Sequence, residues 1–168
     1  MSSPSPKIQF DMERQAGGAP MLAVEDGHDP VRWADENREA LRAAVDENGA
    51  VMVRGLGLSD PAQVAEVYGR LVPSGLMPDR EAFATRQPYL DGVYSSLTWP
   101  ANQPMCMHHE LSYALEFPGL MLFACLQAPG VGGVTGIADA RSVLDAIPAD
   151  IVQRFESEGW LLARSYNE

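Results

Sequence analysis

The side chains of this chain best suited to chemistry are His108 and Glu110, in a short polar segment. One residue separates them, and on an extended strand positions i and i+2 point to the same face, so both can reach one ion. An imidazole and a carboxylate are two of the three ligands of the facial triad that holds Fe(II) in non-haem oxygenases. The third would be a second histidine, and none follows His109. The spacing predicts a metal-binding pair; the alternative is an exposed pair on a polar loop.

The other candidates in the sequence carry weaker signals. His109 would face the opposite way on a strand, so we expect it at the surface or behind the site. His28 precedes a predicted helix cap, and we expect it in a loop. Thr135 follows Gly132 and Gly133, in a segment that could be a hairpin turn; a functional role would need its hydroxyl to donate a hydrogen bond to a bound carboxylate.

Helices and short strands are predicted on both sides of these residues. Asp29 can cap a first helix, and prolines and glycines mark the ends of others. The helices are predicted at about 30–47, 60–71, 140–146 and 149–158. Continuous apolar or β-branched runs predict short strands. These strands are expected at 50–53, 94–98, 105–108, 120–126 and 160–166.

Length and composition restrict the class of protein. A chain of 168 residues has the size of one domain. Its net charge of −11 argues against a nucleic-acid partner, because binding phosphates requires a basic face. No apolar run is long enough to cross a membrane, and the N-terminus shows no secretory signal, so we expect a cytoplasmic protein. In that compartment Cys106 and Cys125 are expected to be reduced and buried.

Several segments, taken in order, resemble the TauD/TfdA family of Fe(II)- and 2-oxoglutarate-dependent dioxygenases. They are residues 108–113, Phe117-Pro118, the apolar run 120–126, and residues 132–141, which begin Gly-Gly-Val-Thr. Residues 50–55 are similar to the family's early strand. Tyr94-Ser95-Ser96 is similar to the branch that hydroxylates amino acids in peptide-antibiotic assembly. The resemblance runs from about residue 40 to the end.

The resemblance implies a fold and a set of ligands. The expected fold is α+β, a partial double-stranded β-helix (jelly roll) with flanking helices that lacks its C-terminal strands. Residues 1–20 would form a flexible arm, and residues 21–168 the N-terminal part of the dioxygenase domain. His108 and Glu110 match the first two iron ligands, and Thr135 matches the threonine that helps bind 2-oxoglutarate. Glu110 replaces the aspartate of many members and argues against the halogenating relatives, which need a small residue there.

The resemblance also implies residues that this chain does not contain. The family's second iron histidine and its arginine for the far carboxylate of 2-oxoglutarate lie beyond the Thr motif, and neither Arg154 nor Arg164 matches that arginine. The expected function is hydroxylation of a small molecule or amino acid, with the half-site completed by a second chain or a C-terminal segment. The alternative is a catalytically inactive truncated member that acts as a binding or scaffold unit. Whether this chain is an enzyme by itself stays open.

Overall fold

The computed structural model describes residues 12–13, 18–78, 86–100 and 102–163. The chain divides into two compact units. Unit 1 comprises Met1–Gln103 and Leu122–Ala128, and unit 2 comprises Pro104–Met121 and Pro129–Glu168. All three predicted site residues, His108, Glu110 and Thr135, fall in unit 2, so this unit carries the functional argument.

Unit 1 begins with a strand–helix–strand motif. Strand β1 (Met21–Ala23) and strand β2 (Met52–Arg54) pair in parallel, with Leu22 opposite Val53, and helix α1 (Pro30–Asn48) connects them. The Asp29 side chain accepts a hydrogen bond from the Arg32 amide at 2.7 Å, which caps the helix as the sequence predicted. Within the predicted arm, Glu13 forms an antiparallel bridge with Met21.

A second helix and a small hairpin complete the elements of unit 1. Helix α2 (Pro61–Leu71) packs against α1 and is capped by the Asp60 carboxylate, which accepts from two amides. Strand β3 (Pro88–Leu90) pairs antiparallel with β4 (Val93–Tyr94). The hydrophobic core of the described residues lies in this unit. It consists of Leu22, Val24, Ala34, Leu41, Ala44, Val64, Val67 and Val93.

Unit 2 contains two helices joined by a short connection. Helix α3 (Ala140–Ala146) follows the N-cap Asp139, and helix α4 (Ala149–Glu158) follows Pro148 and ends at Gly159. Both match the predicted bounds. No described residue of unit 2 is buried, and large apolar side chains such as Phe155 and Trp160 are about 60% exposed (59% and 60%).

Several predicted strands are wrong in the described residues. Residues 105–108, 120–126 and 160–163 belong to no strand, and residues 164–166 lie outside the described part of the chain. The predicted strand at 94–98 is limited to Val93–Tyr94, and that at 50–53 is displaced to Met52–Arg54. Strands form only where a neighbouring strand satisfies the main-chain groups, and a local apolar run does not specify that neighbour.

The described elements are therefore α+β, with two separate two-stranded sheets. This arrangement is consistent with part of a jelly roll and does not itself contain one. None of the helices in the described ranges is long and apolar enough to span a membrane.

Candidate metal centre

The candidate metal ligands lie side by side in unit 2. The Nε2 atom of His108 is 3.8 Å from the Oε2 atom of Glu110. The His108 side chain is 52% exposed and the Glu110 side chain 29% exposed, so solvent and small ions reach both. His108 lies in a loop and Glu110 begins a turn, so the predicted strand at 105–108 does not carry the pair; the two side chains are nevertheless close together, as their i, i+2 spacing predicted.

The opposite edge of the His108 ring is fixed by the main chain. Its Nδ1 atom lies 2.8 Å from the carbonyl oxygen of Cys106. A carbonyl oxygen can only accept, so Nδ1 must carry the proton and donate it. In the neutral ring Nε2 is then unprotonated, with its lone pair available on the side of Glu110. Metal-binding histidines commonly donate their second ring nitrogen to such a carbonyl.

The electrostatics of the pair allow two states. If His108 is protonated at both nitrogens, it forms an exposed ion pair with Glu110, which contributes little stability. If it is neutral, the Nε2 lone pair and the carboxylate face each other, an arrangement that one cation can bridge. Because 3.8 Å exceeds hydrogen-bond distance, no shared proton is required to explain the contact.

A left-handed residue follows Glu110 directly. Leu111 has a φ of +53°, and it is the one non-glycine among the described residues with a positive φ. Its carbonyl oxygen accepts a hydrogen bond from the Ala114 amide at 2.9 Å, which closes a turn. The chain thus changes direction immediately after the second candidate ligand.

The Thr135 segment approaches the candidate ligands through its neighbour. A Cβ added at Gly136 would lie 3.2 Å from the Cε atom of Met107, so the main chain next to Thr135 passes beside the residue before His108. Gly132 and Gly133 both have positive φ, and a Cβ at Gly133 would collide with the ring of Pro129. These glycines permit the tight bend that precedes Thr135. Thr135 itself is exposed.

Asp139 and Arg141 have structural roles at the start of α3. The Asp139 carboxylate accepts hydrogen bonds from the Arg141 amide, from the Arg141 guanidinium and from the Ser142 hydroxyl. The amide and guanidinium of Arg141 lower the pKa of this carboxyl below its usual value. Asp139 therefore caps helix α3, and Arg141 flanks it.

Three residues of this centre were missed by sequence reasoning. Cys106 contributes its carbonyl and Leu111 its turn, two main-chain roles that no side-chain pattern indicates, and Met107 contributes a side-chain contact with the chain at Gly136. Cys106 and Cys125 are both exposed, so the expectation of burial was wrong; each lies in a segment whose apolar side chains remain uncovered.

The other histidines do not join the pair within unit 2. His109 is exposed, and His28 belongs to unit 1, where it lies with Asp29 and Trp33 in a shallow depression at the start of α1. Among the described residues, no group of three or more His, Cys, Asp or Glu side chains is placed to hold a metal ion. The donor chemistry of His108 and Glu110 fits two positions of an Fe(II) site and leaves the third to other residues.

Comparisons with known proteins identify relatives of this chain. The family described as “Taurine catabolism dioxygenase TauD, TfdA family” matches residues 14–168. The dapdiamide synthesis protein DdaC of Enterobacter agglomerans is 27% identical over 160 residues, which cover 94% of this chain and 48% of that protein. The chain thus spans about half the length of this curated relative. No solved structure matches.

Proposed function

The chain belongs to the TauD/TfdA family, and we propose that it supplies the N-terminal part of the active site of an Fe(II)- and 2-oxoglutarate-dependent dioxygenase. One observation carries the proposal. The Nε2 atom of His108 lies opposite the Glu110 carboxylate while Nδ1 of the same ring is held by the Cys106 carbonyl. That carbonyl selects the tautomer in which Nε2 carries the lone pair and can bind a metal.

Each residue has a defined task in this proposal. His108 offers Nε2 and Glu110 offers a carboxylate oxygen to Fe(II). Thr135 donates its hydroxyl proton to a carboxylate of 2-oxoglutarate, and the bend at Gly132 and Gly133 directs the chain past Met107 toward the metal ligands. With iron and 2-oxoglutarate bound, dioxygen would be the oxidant: one of its oxygen atoms would end in succinate as 2-oxoglutarate loses carbon dioxide, and the other in the hydroxylated C–H bond.

The third iron ligand and a cation for the far carboxylate of 2-oxoglutarate would come from a further segment or a second chain. Two protein ligands hold a divalent ion weakly, because affinity depends on ligand number and geometry. An arginine is suited to the carboxylate because its planar guanidinium can form two parallel hydrogen bonds with it. We propose a small molecule or an amino acid as substrate, in line with the similarity of residues 94–96 to the amino-acid hydroxylase branch.

Binding of Mn(II) tests the metal pair without oxidation of the ion. In NMR spectra of the 168-residue chain, paramagnetic broadening should begin at residues 108–110. His108→Ala should abolish this local effect, and His109→Ala should leave it within about twofold, because His109 is no part of the pair. Equal broadening in wild type and His108→Ala would show that Mn(II) merely collects on the acidic surface, and would overturn the proposal.

Succinate production tests the complete function against the scaffold alternative. The DNA that follows codon 168 should encode, in frame or in an overlapping frame, a late histidine and an arginine. Co-expression of that segment should give Fe(II)-dependent conversion of 2-oxoglutarate to succinate, and Glu110→Gln should remove it. If the reconstituted protein binds Mn(II) at His108 but forms no succinate with any small-molecule or amino-acid substrate offered, the scaffold function is the correct one.

A further inference from the structure

The left-handed backbone of Leu111 has no local explanation in the sequence. An L-residue with a side chain adopts positive φ at a cost, because its Cβ approaches the main-chain carbonyl. Glycine, asparagine and aspartate adopt positive φ at the lowest cost, and leucine does not belong to that group. The same chain places glycine at many other positive-φ positions, including Gly49, Gly132 and Gly159. A leucine at such a position therefore requires a reason outside the turn itself.

The position of Leu111 suggests that reason. It follows Glu110 directly, and its carbonyl accepts from the Ala114 amide, so the turn begins where the ligand-bearing segment ends. This hydrogen bond fixes the peptide between Leu111 and Ser112, so the chain is anchored one residue after Glu110. From the N-terminal side, the Cys106 carbonyl fixes the ring of His108. The pair is held at both ends by main-chain groups.

We propose that Leu111 is a positioning residue of the metal pair, and that its left-handed turn anchors the chain directly after Glu110 and so keeps this residue beside His108. This inference rests on the proposed function of that pair. The Leu111 side chain is half-buried, although it belongs to a unit that buries no residue fully. Partial burial of this apolar side chain offsets part of the backbone cost, whereas glycine at this position would leave the turn looser.

Two substitutions separate the backbone from the side chain. Leu111→Ile keeps the number of side-chain atoms and the side-chain volume but moves the branch point to Cβ. A branched Cβ disfavours positive φ more strongly. Leu111→Asn gives up the apolar side chain but tolerates positive φ. If the left-handed turn holds Glu110 in place, the isoleucine variant loses the pair geometry and the asparagine variant keeps it.

The experiment measures the Mn(II) concentration that broadens the Glu110 amide signal by half, in the full chain. Leu111→Ile should require about fivefold more Mn(II) or more, and Leu111→Asn should stay within about twofold of wild type. A strong nuclear Overhauser effect between the amide and α protons of residue 111 should report positive φ in wild type and Leu111→Asn, and should weaken in Leu111→Ile. Unchanged methyl signals of Val64 and Val67 verify that unit 1 remains folded.

The possible results distinguish the two proposals. Equal Mn(II) requirements in all three proteins would overturn the role of Leu111 and leave the metal pair standing. Equal weakening in both variants would show that the side chain acts and the backbone does not, which also overturns it. An absence of local broadening at residues 108–110 in wild type would instead remove the metal pair and, with it, the premise of this inference.

Discussion

His108 Nε2 lies 3.8 Å from Glu110 Oε2, beyond hydrogen-bond distance and close enough for one cation to contact both atoms. The arrangement depends on the main chain as much as on the side chains, because the Cys106 carbonyl sets the tautomer of the ring. A metal pair of this kind is sensitive to ligand charge and less sensitive to ligand length.

The two conservative substitutions of Glu110 should therefore differ. Glu110→Gln keeps the length but removes the negative charge, and should weaken Mn(II) binding at residues 108–110 about tenfold or more. Glu110→Asp keeps the charge on a side chain one methylene shorter, and its affinity for Mn(II) should fall about threefold at most. Paramagnetic broadening of the His108 ring signals measures both. A glutamine variant that binds as well as the aspartate variant would contradict coordination by this carboxylate.

Substitution of Thr135 should affect 2-oxoglutarate and spare the metal. Thr135→Val has nearly the same shape but no hydroxyl, so in the presence of Mn(II) its 2-oxoglutarate affinity should fall about tenfold, the typical effect of losing a hydrogen bond to a charged group. Thr135→Ser keeps the donor and serves as the control. Calorimetric titration of 2-oxoglutarate into Mn(II)-loaded protein gives both values. An equal loss in the serine variant would assign the effect to packing of the segment beside Met107.

The helices were predictable from sequence and most of the strands were not. Helices α3 and α4 match their predicted bounds because their limits are local: Asp139 caps one, and Pro148 and Gly159 delimit the other. Residues 120–126 have the composition of a buried strand, yet Met121 is 42% and Phe123 72% exposed and no strand forms there. Composition encodes a tendency to be buried, whereas a strand needs a partner that composition does not name.

The proximity of the two candidate ligands was predictable from sequence, and their main-chain surroundings were not. The spacing of His108 and Glu110 predicted their proximity, because two residues on one extended segment share a face. No sequence pattern indicates the hydrogen bond from His108 to the Cys106 carbonyl, because every residue has a main-chain carbonyl. The positive φ of Leu111 ran against its residue type. The approach of Gly136 to Met107 is a contact between distant parts of the sequence that only the fold reveals.

Gly55 should be essential for the stability of unit 1. Its φ is +90°, and an added Cβ would collide with the main-chain oxygen of Val24, which follows β1. Gly55→Ala should lower the free energy of unfolding by about 3 kcal/mol, because backbone strain and a main-chain collision combine. Gly57→Ala is the matched control, since its φ is +68° with open space around the Cβ, and it should cost about 1 kcal/mol. Urea denaturation measures both; equal losses would exclude the Val24 contact as the cause.

Tyr68 should make the stability of the chain depend on pH in the alkaline range. Burial raises the pKa of this phenol to about 12, because the charged form is poorly solvated. The phenol is neutral in both states below its unfolded pKa of about 10, so its stabilising effect is fully present there. Between about pH 10 and 12 the unfolded chain ionises first, and stability should fall by about 1–2 kcal/mol after allowance for partial solvent screening. Tyr68→Phe should flatten this part of the pH profile in urea denaturation; a profile unchanged by the substitution would contradict the assignment.

The exposed apolar side chains of unit 2 should make the chain self-associate. Phe155, Trp160 and Leu161 are 59%, 60% and 91% exposed, and large apolar side chains left this exposed within a few residues of one another mark an interaction surface or an aggregation risk. Sedimentation of the purified chain should show association that increases with concentration, and Leu161→Ser should reduce it. Leu56→Ser, a substitution of a half-buried leucine in unit 1, provides the matched control and should leave association unchanged. If a further segment completes the metal site, its addition should suppress association and shift the Trp160 fluorescence to shorter wavelength, a change that Trp160→Phe removes. If the wild-type chain and all variants sediment as monomers at high concentration, these exposed side chains do not form an association surface.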